Sequence, residues 1–216
     1  MRGRIILLMA AALLARDGIC GEILDRIAVT VGKQVITESD VLREIRVSAF
    51  LDQKPVDLSG EEKRKAADRL VDQLLILDEA SIGGTALAGP EDAQNMLEQV
   101  RSQYASGSDY QAALVRYRIS ESELEAHLLD GLHALRFTDL RFRPEVDFSD
   151  DDLRDFYNGL VEGWRKKGVT QIPTFDASRD QVQKLMIDQR VAQALDRWLG
   201  AQRTQTRIEY RNQVFK

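Results

Sequence analysis

His127 and His133 stand six residues apart, so on one helix they project from different faces, not from the shared face that a spacing of three or four gives. Metal ligation by the pair is therefore disfavoured, and Glu123, four residues before His127, is placed for a surface ion pair. Asp147, Asp150, Asp151 and Asp152 form the densest acidic cluster. At a helix start they complement the macrodipole, and the alternating ligands and turn glycine of a calcium loop are missing. Gly83, Gly84 and Gly89 carry no following Lys-Ser or Lys-Thr, and the sequence holds no Walker loop, no dinucleotide-binding glycine motif and no Gly-x-Ser-x-Gly elbow. The basic run Arg165, Lys166, Lys167 lacks interleaved aromatics and reads as solvated linker, not as a nucleic-acid patch. These residues predict no catalytic site, no metal and no cofactor.

Composition agrees with that reading. The 216 residues are 44% hydrophobic and 30% charged, as in a folded protein. A net charge of −5 gives no global basic field for nucleic acid. One Cys excludes an internal disulfide, and with two His it leaves too few ligands for a closed zinc site. Few aromatics, glycines and prolines argue against a sandwich or barrel, so helix should dominate.

The elements that would position any site follow from start and stop signals. Arg2 and Arg4 precede an apolar run, Ile5 to Ala15, followed by small residues; residues 1–20 thus read as a secretory signal peptide, cleaved after Cys20 or after Ala15, with an N-terminal core helix as the plainer alternative. The run is too short for a membrane span. From Asp25, IAVTVGKQVIT reads as strand, Gly32-Lys33 turn, strand. Thr37 and Asp40 have capping spacing before a helix bearing Val41, Leu42, Ile45 and Ala49. Ser59 and Glu62 form a capping box before Ala67, Leu70, Val71, Leu74 and Leu77, with a stop at Gly83-Gly84. Pro90 opens a third helix ending near Gly107, with Ala93, Met96, Leu97, Val100 and Tyr104 on one face. Ser108 caps a fourth with Tyr110, Ala113, Leu114 and Tyr117. Ser120 begins a longer helix, the expected centre of the scaffold, carrying Leu124, Leu128, Leu132 and Leu135 plus a second row of Leu129, Phe137 and Leu140. Ser149 caps another with Leu153, Phe156, Tyr157, Leu160 and Trp164.

Residues 164–175 are a linker too short to hold a domain, and residues 176–216 form a long helix, with Val182, Leu185, Met186, Ala192, Leu195 and Leu199 as its stripe, and a final strand over RIEYRNQVF. Residues 21–163 carry a net charge of −13 and residues 164–216 of +6. The two parts should therefore attract each other, solvated faces that never meet being the alternative, and the end strand can join the N-terminal pair only if the tail folds back, which the opposite charges favour.

In this order the segments are familiar. DRIAVTVGKQVITESDVLREI resembles the opening of the SurA-type periplasmic chaperones, with strand, tight turn, a V-I-T-x-S-D segment and helix. RLVDQLLILDEA is similar to that family's second helix, SESELEAHLLDGLHALRF to its central helix, FSDDDLRDFYN to the segment leading into the isomerase domain, and DQVQKLMIDQRVAQALDRWLGAQRTQTRIEYR to the returning helix and strand. The resemblance spans nearly all of the chain after residue 20, most weakly from Gly83 to Gly107. It implies a mainly α chaperone module with a short N-terminal hairpin and a C-terminal helix and strand that complete it. The parvulin-type isomerase domains of that family have no room in residues 164–175, so prolyl isomerase activity is not carried over.

What the resemblance then implies is an ATP-independent periplasmic chaperone without catalysis, whose partners are unfolded exported polypeptides, outer-membrane precursors among them. A helical adaptor for one folded envelope partner is the alternative. Met96, Tyr104, Tyr110, Leu114 and Tyr117 are the candidate client-binding residues, their stripes fitting either ordinary core or an adaptable groove.

Overall fold

The computed structural model describes residues 25–82 and 88–216. The expected signal peptide and the Gly83-Gly84 stop lie outside the described residues. The chain is mainly helical, with one small antiparallel sheet. β1 (Ile27–Val31) and β2 (Gln34–Thr37) form the expected hairpin, and Gly32 takes the left-handed φ of +59° that the two-residue turn requires. β3 (Ile208–Tyr210) pairs antiparallel with the other edge of β1, aligning Val29 with Tyr210 and Val31 with Ile208. The two ends of the described chain thus share one sheet, in the order β2-β1-β3.

Among the described residues seven α-helices lie between these strands. α1 (Glu38–Leu51) begins at Thr37, whose side chain and that of Asp40 cap each other's backbone N–H groups. In α2 (Gly60–Ile82) the box is different from the expected one. Ser59 Oγ accepts from Glu62 N at 3.3 Å, but Ser59 N donates to Asp57 at 2.8 Å, and the Glu62 carboxylate turns instead to Arg69. α3 (Pro90–Arg101) ends before Tyr104, and α4 (Gly107–Tyr117) is capped by Ser106, not Ser108. Ser106 has Asp109 three residues on, so its Oγ can take the Asp109 N–H at 3.2 Å. α5 (Glu121–Phe142) keeps its Ser120–Glu123 box and packs against α1, α2, α3 and the last helix, as a central scaffold must.

A single 3-10 turn at Arg143–Glu145 follows Phe142, and then α6 (Asp150–Lys166) starts on a Ser149–Asp152 box. α7 (Phe175–Gln205) is 31 residues long, or about 46 Å. α6 lies along its N-terminal half, and its C-terminal half runs back onto α2 and α5. The expected attraction of opposite charges is met by Arg203, which donates to Asp72 at 2.7 Å and to the Asp68 carbonyl at 2.9 Å, while the Tyr210 hydroxyl hydrogen-bonds Asp68.

Four clusters make the interior. The hairpin packs with α1, α2 and the C-terminal Val214; α1 with α3, α4 and α5; α2 with α5 and the second half of α7; α6 with the first half of α7. Several residues of the expected stripes are not interior. Leu135 is 58% and Leu140 60% exposed, because the far half of α5 meets its neighbours through Phe137 and Ala134 instead. Leu185 is 43% exposed and Ala192 is exposed, since the later part of α7 turns Val191, Ala194, Leu195 and Trp198 inward.

Candidate functional site

Three helices converge on one carboxylate. Glu44 of α1 is 7% exposed, and it accepts Arg69 Nε of α2 at 2.9 Å and lies 3.2 Å from His127 Nδ1 of α5. Burial alone would raise its pKa; the hydrogen bond and charge of His127, then those of Arg69, outweigh burial and bring it down to about 2. The expected Glu123–His127 surface pair does not form. Glu123 is held by its cap on Ser120 and by Arg43 of α1 at 3.1 Å, leaving His127 to the buried acid. His133, on a different face as expected, sets Nε2 3.0 Å from the Ala88 carbonyl.

Beside the Glu44 contact the same helices leave a cleft of about 370 Å³, which Val35 and Ile36 of β2 also line. Val35, Leu70, Leu74 and Leu77 give it apolar walls, and Asp40, Glu44, Glu123 and Asp130 give it carboxylates. Val35 is 51% exposed, and Leu70, Leu74 and Leu77 are half-buried, so this surface is apolar yet reachable. Burial pushes the Asp130 carboxyl up, against the lowering pull of His133 and His127 and a hydrogen bond from Gln73. The size matches a pocket for a few side chains or a short turn of polypeptide. In this donor set the His127 imidazole faces the Glu44 carboxylate, to which the Ser48 hydroxyl also donates at 3.1 Å.

The five residues singled out from the sequence come together, but as interior. Tyr110, Leu114 and Tyr117 are 2%, 4% and 7% exposed, with Met96 and Tyr104 half-buried against them. Phe50 of α1 is the partner that joins them, stacked on Tyr104 at 5.8 Å between centroids and edge-on to Tyr110 and Tyr117 at 6.2 and 5.6 Å. Tyr117 Oη also donates to the Lys54 carbonyl at 3.0 Å. In this arrangement Leu114 and Tyr117 are interior, while Tyr104 and the rim of Tyr110 reach a second depression, of about 570 Å³, that Glu98, Arg101, Gln111 and Glu121 also line. Sequence reasoning missed the cleft. Its one legible signal was the α2 run Leu74, Leu75, Ile76, Leu77, four consecutive apolar residues that a single buried stripe does not need.

The acidic cluster serves local structure. Asp152 completes the α6 cap, and Asp150 and Asp152 pair with Arg179 and Arg190 of α7 at 2.6 and 3.4 Å. Among the described residues no group of three or more His, Cys, Asp or Glu is placed to hold a metal, and no helix is long and apolar enough to cross a membrane. Compared with known proteins, the chain matches no family model and no curated protein, so its site stands on its own geometry.

Proposed function

We propose that this chain is an ATP-independent, extracytoplasmic chaperone module that holds unfolded exported polypeptides, outer-membrane precursors among them, without catalysis. The observation that carries the reading is the cleft between α1, α2 and α5, whose apolar walls stay open to solvent. A holder of unfolded chain needs such reachable apolar surface and modest affinity, and it acts by mass action on the unfolded state without a nucleotide. The resemblance of the segment order to the SurA-type chaperones supports the same reading, as does a sheet and helix pair in which the tail returns to the head. The short connection between α6 and α7 has no room for an isomerase domain at that point.

The test is dilution of a urea-unfolded outer-membrane β-barrel protein into buffer containing this chain, with aggregation followed by light scattering. Suppression near one chain per client, without ATP, is the expected result. Ala126→Trp, which places a ring in the cleft from an exposed position, should weaken it several-fold at unchanged thermal stability. No suppression, together with no binding of unfolded clients or apolar peptides, rejects the proposal. Recovery from envelope extract of one folded partner in fixed ratio, in place of many precursors, would make the chain an adaptor.

A further inference from the structure

The charges lining the cleft do not balance. Glu44 is answered by Arg69 at 2.9 Å and His127 at 3.2 Å. Arg43 is shared between two carboxylates, Asp40 at 2.9 Å and Glu123 at 3.1 Å, so one cation serves two anions. Asp130 has the Gln73 amide as its hydrogen-bond partner, and among the described residues it makes no ion pair at all, although it stands half-buried on α5 beside the apolar row of α2. Carboxylates thus outnumber the cations that answer them inside a space whose other surface is Val35, Leu70, Leu74 and Leu77.

We infer that this cleft selects unfolded segments in which apolar residues are accompanied by a lysine or arginine, the apolar side chains lying on the α2 row and the cation reaching Asp130. The inference rests on the chaperone reading and names the class of segment it favours. Hydrophobic side chains find the leucine row, and the low-polarity walls strengthen the ion pair relative to one on open surface. A cation brought to Asp130 offsets the desolvation cost that pushes its carboxyl up. Acidic segments are turned away by like charge, which gives an otherwise tolerant surface a rule of exclusion. The extended occupant is favoured over a bare metal ion because no three ligating groups converge there among the described residues.

The test uses the full chain and three labelled twelve-residue peptides with one leucine-rich sequence and two variable positions filled by Lys, Gln or Glu, read by fluorescence anisotropy at low and at physiological salt. The Lys peptide should bind about five- to tenfold tighter than the Gln peptide, the Glu peptide most weakly, and added salt should narrow the gap. Asp130→Asn should bring the Lys peptide to the level of the Gln peptide. Asp151→Asn, an exposed change of equal charge at the start of α6, should leave the gap intact and so separates the cleft from the general acidity of the molecule. Spermidine should not displace the Lys peptide at comparable concentration. Equal binding of Lys and Gln peptides, a gap that survives Asp130→Asn, or displacement by spermidine overturns the inference while the holding function stands. Failure of all three peptides to bind overturns both.

Discussion

Glu44 joins α1 to α2 and α5 at once, and its charge is a stability term with a defined pH window. Its folded pKa of about 2 lies below the ordinary value of 4.5, so the ionised form is favoured in the fold. That contribution is complete above the ordinary value and is lost as pH falls towards 2. Glu44→Gln should therefore lower the thermal midpoint at pH 7, by an amount corresponding to roughly 1–3 kcal/mol, because Arg69 and His127 lose the acid that satisfies them. Between about pH 4.5 and 2 the gap between wild type and variant should close, and calorimetry across that range checks it; parallel curves would show that Glu44 is not the titrating group. At this scale the sequence was least informative. The local spacing of Glu123 and His127 pointed to a pair on one helix, but the cap at Ser120 engaged Glu123, and the partner of His127 came from a helix some 80 residues earlier in the chain. A tertiary partner leaves no mark in local spacing.

Elements were far more legible, since caps are written within four residues. Thr37, Ser120 and Ser149 all start helices where the sequence places them, each completed by an acid three residues on, whereas the box expected at Ser59–Glu62 is half made. Misplaced ends have local causes. Ser106 and Ser108 both precede the same helix, and only Ser106 has an acceptor geometry matched to Asp109 N. Tyr104 continues the α3 stripe in sequence but sits beyond the helix, in the loop that turns towards Phe50. Gly60 illustrates a demand no local rule reveals. At the first position of α2, a Cβ would stand 2.1 Å from the backbone oxygen of Phe215, so the C-terminus approaches the helix through the missing side chain, and Lys63 Nζ donates to the adjacent Val214 carbonyl at 3.3 Å. A Gly-to-Ala change in a helix ordinarily stabilises by about 0.5–1 kcal/mol. Here Gly60→Ala should do the opposite, lowering stability by roughly 1–3 kcal/mol in urea unfolding, because backbone must move. In a chain ending at Tyr210 the penalty should vanish; if it persists, the close approach is not its cause.

On the scale of the whole molecule, the return of the tail was legible because it rested on bulk quantities, a net charge of −13 against +6 and a strand left over at the end. The cleft was not, since it arises where α1, α2 and α5 diverge, and the half-buried Leu70, Leu74 and Leu77 have the same period as core. The candidate residues between Met96 and Tyr117 pose the same difficulty, a buried stripe and a groove-lining stripe being indistinguishable until a partner such as Phe50 is placed. The fold also has an internal division of stability. Around α2 and α5 three clusters overlap through shared helices, and their members include Val71, Leu124, Phe137 and Val191. The antiparallel pair of α6 and the first half of α7 buries Leu153, Val161, Val182 and Met186, with Phe156, Tyr157 and Phe175 half-covering them, and it is tied to the rest through α7, through Val146 and Ile187, and by the Arg143–Asp188 bridge at 2.9 Å. Few buried contacts and long exposed helix make a unit that opens alone. Leu153→Ala removes a fully buried side chain and costs about 2–5 kcal/mol where it sits. Amide exchange should then accelerate across residues 150–186 by one or more orders of magnitude, while residues 27–51 and 60–82 keep their protection. Uniform acceleration over both regions would instead mean one cooperative body, and the α6–α7 pair could no longer open without unfolding the cleft.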